Sequence, residues 1–219
     1  MTDRIDVVEF WRDVVGLTLD EILPIRRGQV QYRFDLCESV LKVNVIDGGV
    51  DATRRSGISE VTVADALRAG QTLVDPDGTA IRFVAPGDDG IEQIGVTFAV
   101  SDAAAAARYY VDALGWQPLG SAGAGDVDGV RCGRTVVRWR ELADAPPVPA
   151  MPLRGWAYLT VQIHDCDAEH AGVLTCGGAE GLAPVTLGTT ARISMVRDPD
   201  GNWLELSQRA SLTGPLPDR

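Results

Sequence analysis

The chain has 219 residues, of which 45% are hydrophobic and 23% are charged, a composition typical of a globular protein with a substantial core. Its 31 acidic and 20 basic residues give a net charge of −11, which argues against the basic face of a nucleic-acid-binding protein. There is no apolar run of ~20 residues that could span a membrane and no signal-peptide pattern. The four cysteines lack CxxC spacing, so we expect reduced, mostly buried thiols in a cytoplasmic protein that contacts no membrane.

The first element in chain order is a helical pattern that occurs twice. Asp3 and Asp102 are each followed by apolar residues at helical spacing and then by a glycine, Gly16 or Gly115. Aspartate is a favoured N-cap and glycine commonly ends a helix, so each segment predicts one capped helix.

A second repeat is the tetrapeptide Asp-Pro-Asp-Gly, which begins at Asp75 and again at Asp198. Each copy predicts a tight turn that leads into a strand. Turn geometry accounts for these residues without a functional role.

Alternating apolar residues predict strands between these landmarks, as at Ile94–Val100 and Leu159–Ile163. One apolar face per strand suggests sheets that helices cover on one side only, which leaves the other face to line a cleft. The predicted fold class is α+β. The predicted elements follow in this order: a helix and three strands, then a strand, a short segment and two strands, and then two βαβββ units.

The repeats also predict the domain organisation. Residues 1–87 form a shortened first module without an opening strand and with one helix missing, residues 91–210 form a complete second module, and residues 211–219 form a tail. The proline-rich segment 143–152 is expected to be a connecting loop. An uncovered sheet edge in the first module favours a homodimer or coverage by the tail.

Two motifs carry a family resemblance: Phe10-Trp-Arg-Asp-Val-Val-Gly-Leu17 with its copy near Tyr109, and Asp198-Pro-Asp-Gly-Asn-Trp-Leu-Glu-Leu206. With them the sequence resembles the vicinal oxygen chelate superfamily, which includes glyoxalase I, bleomycin-resistance proteins and extradiol dioxygenases. It implies paired βαβββ units that form curved mixed sheets with helices on the convex side. It also implies a concave cleft in which a divalent metal ion and a substrate bind.

The resemblance places Glu205 at the family's carboxylate metal ligand, but the other ligand positions lack histidine. Tyr158 and Gly95 stand at the first-strand positions of the second module. In the first module, Ile58 or Glu60 stands at the first-strand position and Arg82 at the carboxylate position. His164 lies about 20 Å along the strand from Tyr158 at ~3.3 Å per residue, and His170 falls within a helix. We expect both histidines on the surface and a degenerate metal site, with Glu205 as ligand if one divalent ion binds. Extradiol dioxygenation would need two histidines and is not expected.

Strand parity predicts the residues of the cleft. Glu205 and Tyr158 are the candidate catalytic residues, since a carboxylate in a partly apolar pocket can act as a general base. The predicted substrate-binding residues are Trp203, Gln162, Thr160, Thr97, Ser207 and Arg138. For Trp203, simple packing is an equal alternative, and for Glu205 a structural hydrogen bond to Tyr158 or Gln162.

Three functions remain open at this point. The chain is either an isomerase, epimerase or lyase that uses Glu205 on a small organic molecule, or a metal-free binding protein of the bleomycin-resistance type. In the second case the acidic surface would favour cationic ligands. The third alternative is a non-catalytic interaction module.

Overall fold

The computed structural model describes residues 1–120, 129–142, 144 and 147–217. The helices are α1 (Asp6–Glu9), continued by a π-helical turn at Phe10–Val15, α2 (Ala103–Leu114), α3 (Cys166–Thr175) and α4 (Ala210–Thr213). The strands are β1 (Leu19–Arg26), β2 (Gln29–Leu36), β3 (Ser39–Ile46), β4 (Ile58–Ala64), β5 (Thr72–Val74), β6 (Ala80–Val84), β7 (Ile94–Val100), β8 (Gln117–Pro118), β9 (Gly129–Cys132), β10 (Thr135–Glu141), β11 (Tyr158–Ile163), β12 (Ala179–Leu187), β13 (Ala191–Arg197) and β14 (Trp203–Arg209). This order confirms the predicted α+β arrangement of elements.

The chain packs as two compact units. Unit 1 comprises Met1–Phe98, Gly133–Val137 and Pro149–Ala157, and unit 2 comprises Ala99–Cys132, Arg138–Val148 and Tyr158–Arg219. The units are groups of residues that pack together, whereas the modules 1–87 and 91–210 are defined by the sequence repeat. The assignment of those modules, and of a tail at 211–219, stays a proposal.

Unit 1 contains an antiparallel sheet, β1-β2-β3, and the strand order β5-β6-β4-β7. In the latter, β4 runs parallel to β6 and antiparallel to β7. The described residues before α1 form no strand, only an isolated parallel bridge between Thr2 and Val45. The core is apolar, and its most deeply buried side chains include Trp11, Phe34, Val61, Ile81 and Phe83.

Unit 2 contains the sheet β11-β14-β13-β12, in which β11 and β14 are parallel and the other pairs antiparallel. Helix α3 covers one face. Its first residue, Cys166, donates its backbone N–H to the side chain of Gln208 and its thiol to the carbonyl of Leu206. Leu204 and Leu206, which share that face of β14, are fully buried. The opposite face carries the predicted cleft residues.

Both predicted caps are correct for α2, and Gly16 ends the first helical segment at φ 84° as predicted, but the predicted N-cap Asp3 is wrong. Asp102 accepts a hydrogen bond from the Ala105 N–H at 2.8 Å, and Gly115 ends α2 at φ 63°. Helix α1 begins only at Asp6 and has no side-chain cap. Asp3 accepts a hydrogen bond from Arg154 at 2.6 Å instead, because a charged partner binds its carboxylate more strongly than a helix N–H.

The two Asp-Pro-Asp-Gly turns are near copies, as the sequence predicts. The carboxylate of Asp75 accepts from the Thr79 N–H at 2.8 Å, and that of Asp198 accepts from the Asn202 N–H at 2.7 Å. The glycines lie at φ 89° and 87°, a left-handed conformation that favours glycine at this turn position. The hydrogen bonds therefore support the structural interpretation of the motif.

Two surface expectations need correction. His170 is 5% exposed, because α3 turns it toward β12, where its Nε2 lies 3.1 Å from Oε2 of Glu180; His164 is exposed, as predicted. The thiols are free but not mostly buried: Cys166 is buried, Cys132 is half-buried, and Cys37 and Cys176 are exposed. None of the helices in the described ranges is both long and apolar enough to cross a membrane.

Candidate functional site

The face of the unit 2 sheet opposite α3 carries most of the predicted cleft. The parallel register pairs Tyr158 with Trp203, Thr160 with Glu205 and Gln162 with Ser207. Paired residues in neighbouring strands point to the same side, so these six side chains share one face. The prediction, from strand alternation, that these side chains share one face is therefore correct for β11 and β14.

Glu205 stands near the middle of this face. Its Oε1 accepts a hydrogen bond from the Thr160 hydroxyl at 3.3 Å. On its other flank the register places Met195 of β13. Thr160 is thus one hydrogen-bonding neighbour of Glu205, and the alternative of a structural hydrogen bond to Tyr158 or Gln162 stays a prediction. A half-buried carboxylate between a hydroxyl and a thioether can accept a further hydrogen bond or a proton.

Trp203 is held from two sides. Its ring lies against Gly181 of β12, where an added Cβ would stand 2.3 Å from the ring atom Cζ3. The guanidinium of Arg197 lies over the ring, 5.4 Å from the centroid. Trp203 is 7% exposed, so packing accounts for much of its surface. Contact between Trp203 and a ligand stays a prediction.

Two buried polar atoms on the same face have no hydrogen-bond partner in the described part of the chain. They are the hydroxyl oxygen of Ser207 and Nε of Arg197. The residue Ser207 is 1% exposed. Buried polar groups in proteins are nearly always hydrogen-bonded, so such atoms are suited to meet a bound water or a polar ligand group.

Thr97 and Arg138 lie on other strands. Thr97 belongs to β7 in unit 1 and pairs with Glu60 of β4. Arg138 lies on β10 in unit 2, where the next residue, Trp139, stacks on Tyr110 of α2 at 5.0 Å. Alternation along the strand therefore turns Arg138 away from α2. Neither residue belongs to the four-stranded sheet that carries Glu205.

The donor set around Glu205 does not suit a divalent metal ion. No group of three or more His, Cys, Asp or Glu side chains that could hold an ion occurs within the described residues. Directly beside Glu205 in the register, β11 and β13 place the hydroxyl of Thr160 and the thioether of Met195. Hard cations need several oxygen ligands and zinc needs nitrogen or sulfur ligands, so Glu205 here lacks a complementary set.

In unit 1 the residues at the corresponding ligand positions form an ion pair. Arg82 donates to Glu60 at 3.2 Å and to Asp89 at 3.1 Å, and Thr62 donates to the same carboxylate of Glu60. The positively charged Arg82 stands at the position that the resemblance assigns to a carboxylate metal ligand. This arrangement links β4 to β6.

Sequence reasoning missed Met195, Arg197 and Gly181 of the same face. They lie on β12 and β13, which have bulges in their pairing at Glu180/Leu182 and Leu182/Val185. The bulges interrupt the alternation that parity reasoning uses. The sequence carried no signal for Gly181, because the need for a glycine there comes from a ring on another strand.

Sequence and structure comparisons place this fold within one family. The model of the Glyoxalase/Bleomycin resistance protein/Dioxygenase superfamily matches residues 90–206, more than half of the chain, and the chain belongs to that superfamily. No curated protein gives a significant sequence match.

Among solved structures, glyoxalase I from Zea mays is similar over 96% of this chain and 90% of its own, with a TM-score of 0.71 and 16% identity. A glyoxalase/bleomycin resistance protein/dioxygenase family enzyme from Burkholderia phytofirmans PsJN aligns with 52% of this chain and 96% of its own, with a TM-score of 0.43 and 15% identity. The maize structure confirms the two-module glyoxalase-like fold. At this level of sequence identity, the similarity to the maize structure is evidence for the fold and not for an activity.

Proposed function

We propose that the chain binds a small organic molecule on the Glu205 face of the unit 2 sheet without a metal ion. The observation that carries the proposal is the position of Glu205 on the face opposite α3, held by Thr160 beside Met195. Members of the superfamily bind small molecules, and a site of this kind combines apolar lining with a few placed polar groups. Glu205 would accept from a cationic or hydrogen-bond-donating group of the ligand, and an apolar part would lie against Met195.

Ser207 and Arg197 support a polar ligand. Their buried polar atoms are without protein partners among the described residues, so a ligand that carries both donor and acceptor groups would satisfy them. The net charge of −11 adds a field that attracts cations over anions to the protein as a whole.

The test is a thermal-shift screen of small cationic and neutral organic molecules on the full chain, with EDTA present throughout. We expect at least one compound to bind, and Glu205→Gln to weaken it about tenfold or more, as for a hydrogen bond to a charged group. The control Glu169→Gln, with the same charge change on α3, should bind normally. Binding that needs a divalent ion, or that is indifferent to Glu205→Gln, would overturn the proposal.

Proton abstraction is a second candidate, favoured by Tyr158, which lies on the same face as Thr160 and Glu205. A carboxylate and a phenol on one face can remove and return a proton at a carbon next to a carbonyl. In that step the C–H bond breaks, Glu205 takes the proton, and the electron pair moves onto the carbonyl oxygen to form an enolate; return of the proton to carbon regenerates the carboxylate. The check is deuterium uptake by a bound carbonyl compound in D₂O, which Glu205→Gln should abolish and Glu169→Gln should not change.

A further inference from the structure

A row of buried amides lies along one face of β2 and β3 in unit 1. Gln29, Gln31 and Asn44 are 8%, 6% and 4% exposed, and the register pairs Gln31 with Asn44. The opposite face of these strands carries core residues such as Phe34 and Leu41. Burial of an amide costs folding free energy unless the amide is hydrogen-bonded. The hydrogen bonds within this row therefore decide which of its groups could bind a ligand.

The amide oxygens of the row already accept hydrogen bonds from the protein. Oδ1 of Asn44 accepts from Nε2 of Gln29 and from Nε2 of Gln31, both at 3.1 Å. Oε1 of Gln29 accepts from Nε of Arg26 at 2.9 Å, and Oε1 of Gln31 accepts from Nε of Arg33 at 2.8 Å. The five side chains thus form one hydrogen-bonded chain with an arginine at each end.

The side-chain groups of this row that can still form hydrogen bonds are mainly N–H donors. Asn44 is 4% exposed as a residue, and the hydrogen bonds that its side chain makes in the described part of unit 1 use the side-chain oxygen and not the side-chain nitrogen. Within the described ranges Arg26 uses Nε for its side-chain hydrogen bond, so its terminal nitrogens add further N–H groups. Two carboxylates lie toward the Arg33 end of this face: Glu21 accepts from Arg33 at 3.1 Å and is 45% exposed, and Asp35, also exposed, is the next residue of β2 on that face. Lys42, which pairs with Arg33 in the register, adds a cation at the same end.

We infer that this row is a binding site for an oxyanion, the carboxylate or phosphate group of a small molecule. An oxyanion brings only acceptors, which complement the unused N–H groups of Asn44 and Arg26. Arg26 supplies positive charge at one end, whereas Arg33 at the other end is paired with Glu21, and the guanidinium fork suits both carboxylate and phosphate. The site lies in unit 1, so the inference stands independently of the function proposed for Glu205.

Asn44→Asp tests the site with little change in shape. An aspartate keeps an oxygen where Gln29 and Gln31 donate, but it replaces the amide nitrogen by a negatively charged oxygen. The matched control is Gln71→Glu, which makes the same charge change on an exposed residue outside the row. A second variant, Arg26→Gln, removes the cation at an exposed end of the row and leaves the three amides in place.

The measurement is calorimetric titration of the full chain with inorganic phosphate and, separately, with malonate. We expect saturable binding of at least one anion, about 10–100-fold weaker in Asn44→Asp and unchanged in Gln71→Glu. The anion that binds more tightly distinguishes a phosphate-bearing from a carboxylate-bearing ligand. If Asn44→Asp does not fold by circular dichroism, weaker binding in Arg26→Gln supports the site. The inference is overturned if neither anion binds, or if Arg26→Gln binds as tightly as the parent.

Discussion

Arg82 in unit 1 occupies the register position that Glu205 occupies in unit 2. Thr62 pairs with Arg82 across the parallel strands β4 and β6, as Thr160 pairs with Glu205 across β11 and β14. Both residues follow an Asp-Pro-Asp-Gly turn, so the repeat in the sequence places two opposite charges at the same point of two similar strand pairs. Only the unit 2 position therefore offers a carboxylate for a cationic or donor ligand.

Replacing Arg82 with methionine should destabilise the protein only slightly. Arg82 and Glu60 have side-chain exposures of 33% and 22%, and solvent screens pairs of this kind to about 1 kcal/mol or less. Urea unfolding of Arg82→Met should show a correspondingly small loss in the free energy of unfolding. A loss of about 3 kcal/mol or more, typical of a broken buried pair, would contradict this account.

Arg154 should be much more important for stability. Its Nη1 donates at 2.9 Å to Asp77, whose side chain is 1% exposed. Arg154→Met would leave that carboxylate buried without its counter-ion, at a cost of about 3–5 kcal/mol in urea unfolding. The control is Arg192→Met, because the carboxylate of its partner Asp167 is 50% exposed, and that variant should lose about 1 kcal/mol or less. Equal losses would show that burial of the carboxylate is not the cause.

Repeats and strand alternation were sufficient to predict the order of the elements and the shared face of β11 and β14. These features depend on local signals: a cap, a turn and a period of two along one strand. The cap of α1 was mispredicted because Asp3 binds Arg154, a residue far away in the sequence. Such long-range competition cannot be read from residues near the helix.

The candidate site was predicted only in part, because some of its residues also depend on contacts between segments that are distant in the sequence. Thr160 and Glu205 follow from parity within their own strands, whereas Arg197 and Gly181 reach the same face through neighbouring strands with irregular pairing. The buried amide row of β2 and β3 was missed altogether. Its glutamines alternate as they would on a solvent-exposed face, and only the pairing with Asn44 distinguishes the two cases.

Protonation of Asp198 should make the stability depend on pH. Burial raises the pKa of this carboxyl to about 6 from the ordinary 3.8, against the hydrogen bonds from Asn202 and Tyr110, which lower it. The folded state therefore binds more protons than the unfolded state between these values, and stability falls as the pH rises from about 3.8 to about 6. The full effect is roughly 3 kcal/mol, at 1.36 kcal/mol for each unit of pKa.

Asp198→Asn isolates this contribution, because asparagine does not titrate. The unfolding free energy of the parent minus that of the variant should fall as the pH rises through that window and should be constant above about pH 7. Burial also raises the pKa of Asp75, but that effect is common to both proteins and cancels in the difference. A difference that is flat across the window would mean that Asp198 titrates alike in the folded and unfolded states.

Gly181→Ala tests the packing that supports the Glu205 face. Its Cβ would lie 2.3 Å from the ring of Trp203, so the ring or β12 must move, at about 1–3 kcal/mol for an overpacked site. Gly172→Ala is the control. No atom lies within 4 Å of the added Cβ there, and alanine favours the interior of α3 by roughly 0.5–1 kcal/mol. In thermal unfolding, the Tm of the first variant should thus be lower than that of the parent, and the Tm of the second should be higher.

A double variant, Gly181→Ala with Trp203→Leu, should be less destabilised than the two single changes added together, because the smaller side chain removes the clash. Additive losses would show that Gly181 is required for a reason other than the Trp203 ring.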